Sequence, residues 1–239
     1  MEDFISVQNF AISFGNAKVI KNLSFSIKKG EIFGLLGSNG SGKTTTIRTL
    51  LGFYKPDKGT LTIGGKNYTP NIGTTIGYLP EERGLYKKES VIDIMTYFGD
   101  LKGLKNPKDW SKEYLKKVGL SDKENLKLEK LSSGQQQKVQ LGITIMNDPE
   151  LLILDEPTKG FDPVNRKLLM DIIEKLHQKG TTIIMITHYM DEVERLCDRA
   201  LLLKDGVAHA YGTIKEIRSK HHNKSLDDIF VSIYGAAYV

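Results

Sequence analysis

Residues 34–50, GLLGSNGSGKTTTIRTL, set glycines, a lysine and a run of threonines between an apolar stretch and a helix-forming one. Within them Gly37, Ser38, Asn39, Gly40, Ser41, Gly42, Lys43 and Thr44 fit G-x-x-x-x-G-K-[ST], the phosphate-binding P-loop. The glycines let main-chain N–H groups turn inward around an anion, and the helix start after Gly42 adds the positive end of its dipole. Lys43 is expected to reach the β- and γ-phosphates and Thr44 to offer its hydroxyl to Mg²⁺, with Thr45 beside it in the nucleotide cradle. Such a loop holds a phosphate chain, and many unrelated machines share it.

A second stretch, LLILDEP (151–157), ends an apolar run in two acids. A parallel strand reading this way carries its carboxylates to the carboxyl edge of a sheet, where α/β proteins bind ligands. Asp155 is expected to assist Mg²⁺ as a Walker B acid, and Glu156 to polarise a water attacking the γ-phosphate.

The elements that must position these groups follow from hydrophobic pattern. FISVQNF and LSFSIKKGE alternate as strands of an N-terminal antiparallel layer. EIFGLL (31–36) is continuously apolar, as a strand covered on both faces requires, and a helix follows from about Lys43 to Leu51. The turn YKPDKG (54–59) leads to the strand TLTIGG, and TIGYLP (75–80) reads as a strand stopped by Pro80. Residues 89–149 change character, with VIDIMTYFGDL, WSKEYLKKVGL and QQQKVQLGITIM all favouring helix. In the last of these Val139, Ile143 and Met146 mark one helical face. Strand patterns resume at LLIL, TTIIMI, RALLL and VAHAY, with KDG (204–206) as a hairpin turn between the last two. The simplest reading is a strand core with a helical block inserted midway.

LSSGQQQ (131–137) stands just ahead of a helix, with Ser132 or Ser133 as its N-cap. Hydroxyls and Gly134 N–H groups at a helix start make a second anion-binding surface on a chain with one P-loop. Here the sequence resembles the nucleotide-binding subunit of ATP-binding cassette (ABC) transporters, whose signature LSGGQ corresponds to Leu131, Ser132, Ser133, Gly134 and Gln135. Every motif follows in family order over essentially the whole chain. The resemblance implies an α/β P-loop NTPase (RecA-like) core with an N-terminal antiparallel β layer and an inserted α-helical subdomain. It makes 1–239 a single ATPase domain, with 1–88 and 150–220 as the ATP-binding core, 89–149 as the helical signature subdomain and 221–239 as a C-terminal extension.

The same resemblance assigns further roles. Phe14 in ISFGN takes the position that stacks on adenine, and Asp162 in GFDP that of the D-loop, which communicates between two subunits. His188 in MITHYMDEVE matches the switch histidine at the γ-phosphate. Two positions depart from the family. Ser133 replaces the usual Gly, and Glu81 in GYLPEERGLY replaces the Gln that contacts Mg²⁺ and water. A carboxylate there can bind the cation but adds negative charge, or it faces the transmembrane partner instead. PEERGLY and the ending SLDDIFVSIYG (225–235) look like the exporter branch that includes sodium- and drug-efflux ATPases.

The function so implied is an ATPase whose signature closes on ATP held by a second, homodimeric copy, driving export through a separate membrane permease at the cytoplasmic face of the cell membrane. Bulk composition agrees with a soluble subunit. Of 239 residues 39% are hydrophobic and 26% charged, and the net charge of +5 is scattered rather than gathered into a nucleic-acid footprint. The single Cys197 excludes an internal disulfide and suits a reducing compartment. MEDFISVQNF lacks the signature of a signal peptide, and no apolar run nears the roughly 20 residues of a membrane span. The rival reading is a nucleic-acid- or ribosome-associated ABC ATPase. It predicts tandem cassettes, a coiled-coil insertion or zinc cysteines, which this sequence lacks, so no nucleic-acid partner is expected. A GTPase is disfavoured because NKSL (223–226) lacks the guanine-reading acid.

Overall fold

Strand β1 (Asp3–Phe14) pairs antiparallel with β2 (Ala17–Lys28) in a computed structural model that describes residues 3–67, 69, 75–82 and 84–235. Arg83 of the exporter-like stretch and residues 236–239 of the C-terminal extension lie outside the described residues, as do 1, 2, 68 and 70–74 of the first core segment. In β1 the alternation shifts phase. Ile5 and Val7 face the core before the shift, Phe10 and Ile12 after it, and Asn9, at φ 48°, absorbs the extra residue as a bulge.

The chain divides into two compact units, residues 1–74 with 177–239, and residues 75–176. In the first, β4 (Lys58–Ile63) adds antiparallel to β1, completing the N-terminal layer. β3 (Ile32–Leu36) lies parallel between β7 (Thr182–Ile186) and β8 (Arg199–Lys204), and β9 (Val207–Thr213) returns antiparallel on β8. Every residue of β3 and β7 is buried, which is why both read as unbroken apolar runs. The expected hairpin turn is present: Lys204 pairs with Val207, and Asp205 and Gly206 adopt φ 51° and 75°, as a two-residue I′ turn demands. Helix α1 (Lys43–Leu50) follows β3. The single Cys197 is a buried core side chain whose thiol is pushed up by burial, then by Asp198 and Glu192.

In the second unit β5 (Ile76–Leu79) pairs parallel with β6 (Leu151–Asp155). Helices α2 (Val91–Leu101), α3 (Pro107–Lys117) and α4 (Ser133–Ile145) lie between these strands in sequence, and α5 (Pro163–Gln178) follows them. Helix α3 starts earlier than the WSKEYLKKVGL pattern suggests, because Pro107 supplies the pre-set φ of a first helical residue. The face of Val139, Ile143 and Met146 is buried as expected, but α4 hides nearly its whole circumference from Val139 to Ile145. Close packing explains this: a Cβ on Gly142 would stand 2.4 Å from the ring of Tyr114. Buried Thr144 is accommodated by donating to Gln140 O at 2.8 Å. Helices α6 (Met190–Leu196), α7 (Ile214–Lys220) and α8 (Leu226–Tyr234) belong to the first unit.

Lys102, just past α2, closes the end of α4. Its Nζ donates to Ile143 O (2.7 Å), Thr144 O (3.2 Å) and Asn147 Oδ1 (3.1 Å), which satisfies carbonyls that a helix end leaves open. Burial lowers its pKa from 10.5 to about 8. A lysine whose pKa is lower folded than unfolded carries a cost for its charge below pH 8, and that cost is lost as pH rises toward 10.5. Compared at each pH with Lys102→Met by chemical unfolding, the natural chain is therefore expected to gain stability between pH 8 and 10.5. A difference that stays flat across this window would contradict the desolvated lysine.

Candidate functional site

The P-loop sits at the carboxyl end of buried β3 and turns directly into α1. Two of its glycines are required, Gly37 by close backbone packing and Gly42 by its backbone conformation. A Cβ at Gly37 would fall 2.4 Å from both Leu203 O and Ser41 Oγ, and one at Gly42 would fall 2.4 Å from Ile20 Cδ1. Gly42 is also the helix N-cap at φ 108° and makes no side-chain cap hydrogen bond; the N–H groups of such a helix start are donors suited to an anion. Lys43 arches back over the loop, its Nζ donating to Gly37 O (2.7 Å) and Ser38 O (3.0 Å). Ser41 Oγ is buried and finds no hydrogen-bond partner among the described residues, a donor that a phosphate oxygen would satisfy. Asn39, Gly40 and Thr44 are exposed; Ser38 and Thr45 are half-buried.

The same unit carries His188 and Phe14. His188 is exposed just beyond β7, the strand paired parallel with β3, so it and the P-loop leave the sheet at one edge. Its ring leans on Tyr189 at 4.2 Å between centroids. The loop behind it is fixed by Thr187, fully buried, whose hydroxyl accepts from Tyr189 N (3.1 Å) and donates to buried Glu192 (3.3 Å). Phe14 ends β1 with 45% of its surface exposed.

The second unit holds Asp155, Glu156, Glu81, Asp162 and the LSSGQ segment. Asp155 is 5% exposed at the end of β6. Glu156 follows at φ 49°, a left-handed conformation rare outside glycine and directly before Pro157. What holds it is Gln137 of α4, a residue the sequence reading passed over. Its Nε2 donates to Glu156 O (3.3 Å) and Pro157 O (2.7 Å), and Lys159 N donates to Glu156 O at 3.2 Å. The backbone bearing the acid is thus clamped by the helix that the signature starts.

Ser132 is the N-cap of α4, at the earlier of the two expected positions. Ser132 Oγ accepts from Gln135 N (3.3 Å) and Gln135 Oε1 accepts from Ser132 N (2.9 Å), a reciprocal capping box. Ser133 is exposed, and Gly134 lies against Phe161, where a Cβ would make contact at 3.4 Å. These residues border a cleft of about 260 Å³ together with Lys138 and Asp162. Asp162 caps α5: its Oδ1 accepts from Val164 N and Asn165 N at 3.0 Å, and its Oδ2 from the Asn165 amide. The backbone bond from Asn165, then the side-chain one, hold this carboxyl below its usual range. Burial lowers the Lys138 ammonium, and nearby Asp162 opposes that shift.

Glu81 meets Lys159, with Nζ 2.5 Å from Oε1. Both side chains are about half exposed, 48% and 58%, so the pair adds little stability, but it offsets the charge that Glu brings in place of Gln. The residues expected to meet a cation, Thr44, Asp155 and Glu81, all offer oxygen. That hard donor set fits Mg²⁺ rather than a thiolate- or imidazole-seeking metal.

Comparison with known proteins gives consistent answers. The ABC transporter family pattern matches residues 20–159. An uncharacterized ABC transporter ATP-binding protein, MJ1023 from Methanocaldococcus jannaschii, is 45% identical over 92% of this chain and 81% of its own. The Nod factor export ATP-binding protein I of Burkholderia lata is 36% identical over 87% of this chain and 70% of its own. The solved structure of an ATP-binding subunit of an ABC transporter superposes with a TM-score of 0.87 at 26% identity, covering 96% of this chain and 98% of that one.

Proposed function

We propose, on the premise that this chain belongs to the ABC transporter family and is one of its ATP-binding, ATP-hydrolysing subunits, that two copies close on ATP to drive export through a separate permease. The observation that carries this reading is the pair of anion-binding helix starts. Helix α1 begins behind the P-loop, and α4 begins behind Ser132, Ser133 and Gly134. One chain needs only one of them to hold its own phosphates, so the second serves the nucleotide of the partner copy.

Lys43 and the N–H groups of Gly37 to Thr45 hold the phosphates, with Ser41 Oγ supplying the buried hydroxyl noted above. Phe14 stacks on the adenine. Thr44 and Asp155 would hold Mg²⁺, which would supply charge neutralisation at the transferring phosphoryl group. Glu81 would be a third oxygen donor to that ion. Glu156, its backbone fixed by Gln137, accepts a hydrogen bond from water and aims it at the γ-phosphorus in line with the bond to the departing ADP. His188 donates to the γ-phosphate oxygens. Across the dimer Leu131 to Gln135 close on the same γ-phosphate, and Asp162 fixes the loop that meets the other copy.

In this reading 1–88 and 150–220 form the catalytic core, 89–149 carries the signature, and 221–239 extends it. ATP favours the closed pair and its products the open one, and that differential affinity is the stroke delivered to the permease. Among the described residues no helix is long and apolar enough to cross a membrane; in this reading the subunit sits peripherally on its permease at the cytoplasmic face. No observation favours a nucleic-acid partner. Export, rather than import, is supported by the PEERGLY resemblance and by the relative named for Nod factor export.

Glu156→Gln is expected to bind ATP, lose turnover and run as a dimer in size-exclusion chromatography with MgATP. Hydrolysis at the native rate would remove Glu156 from its role. For direction, the chain with its permease in inside-out vesicles should load solute when ATP is added outside. ATP-driven loss of preloaded solute would make the system an importer.

A further inference from the structure

The ring pair at the end of β1 involves a residue that no motif assigns. Tyr54 lies edge-to-face with Phe14, centroids 5.1 Å apart and planes at 75°. In such a pair one ring turns its edge to the face of the other. At least one face of Phe14 therefore stays uncovered by Tyr54, and Phe14 remains 45% exposed.

Tyr54 is placed by rigid elements on both sides. Before it, α1 ends in a Schellman motif: Gly52, at φ 74°, donates to Thr49 O (3.0 Å) and Phe53 N donates to Arg48 O (2.8 Å). After it, Asp57 N donates to Ala11 O (2.9 Å), and β4 pairs with β1 from Lys58 onward. The segment that carries Tyr54 thus runs from the P-loop helix to β4, the strand paired with the one that carries Phe14. The other end of α1 meets the same hairpin, because Gly42 packs against Val19 and Ile20, close along β2 from Ala17, the residue that pairs with Phe14. Phosphate loop, base platform and brace form one closed circuit.

We infer that Tyr54 is a positioning residue for the nucleotide base: it props the Phe14 ring at a fixed tilt, so that one open face receives the adenine of a nucleotide whose phosphates lie in the P-loop. This rests on the reading of Phe14 given above. A free phenylalanine ring at a strand end would sample several rotamers, and ordering it on binding would cost affinity. The Tyr54 ring meets that cost beforehand.

The test is calorimetric titration of the whole chain with ATP and with inorganic tripolyphosphate, which has the phosphates and no base. Tyr54→Ala should weaken ATP about fivefold, the order of one aromatic pair, and leave tripolyphosphate unchanged. Tyr54→Phe, which keeps the ring and loses the hydroxyl, should restore ATP affinity. Equal weakening of both ligands by Tyr54→Ala would mean a disturbed α1, and an unchanged ATP affinity would mean no brace. Either result overturns the inference. Phe14→Ala separates the two readings. If it weakens ATP alone while Tyr54→Ala does not, only the brace fails. If it leaves ATP unaffected, the base platform itself is wrong and the brace falls with it.

Discussion

A phosphate can be wrapped by main-chain N–H groups only where no side chain stands in the way, and in this chain two glycines meet that condition. Gly37 faces a carbonyl of β8 too closely for any Cβ, and Gly42 starts α1 in a conformation that L side chains rarely adopt, pressed on Ile20. The rest of the first unit serves that loop. Buried β3 is flanked by β7 and β8, which fix the point where the loop leaves the sheet, and the antiparallel hairpin of β1 and β2 supplies the wall behind it. A larger residue at Gly37 would displace backbone rather than a flexible side chain.

The second unit treats its polar groups differently. Its signature hydroxyl is already engaged in a capping box, its Asp162 carboxylate caps α5, and its Glu81 is matched by Lys159. Each of these uses is structural in a single copy. The proposed function asks them to serve twice, and the exposure of Ser132, Ser133 and Asp162 is what permits it. Gln137 ties the two motifs of this unit together, since the helix that presents Ser132 also grips the carbonyls of Glu156 and Pro157.

Local chemistry made much of this legible. The P-loop pattern, the apolar runs of β3, β6 and β7, the Asp205–Gly206 turn and the N-cap before α4 all follow from residues close in sequence. The less legible features depend on partners far along the chain. Glu81 finds Lys159 across 78 positions, and Gln137 looks like one of three equivalent glutamines until Glu156 is placed beside it. Phe14 gave no sign of Tyr54, because the meeting depends on how α1 ends and how β4 returns to β1. The burial of α4 from Val139 to Ile145 was likewise hidden, since Gln140 and Thr144 are polar residues yet are buried.

In the proposed dimer, nucleotide lies between the P-loop of one copy and the signature of another. Cysteines placed at exposed Asn39 and exposed Ser133 report on it directly, and natural Cys197, buried with its thiol pushed up, stays out of the reaction. Under mild oxidation of the Asn39→Cys/Ser133→Cys chain, MgATP with hydrolysis blocked is predicted to give a covalent dimer on non-reducing gels, and the nucleotide-free chain to stay monomeric. Bound ATP with no cross-linked dimer, at protein concentrations well above those of turnover, would contradict the account.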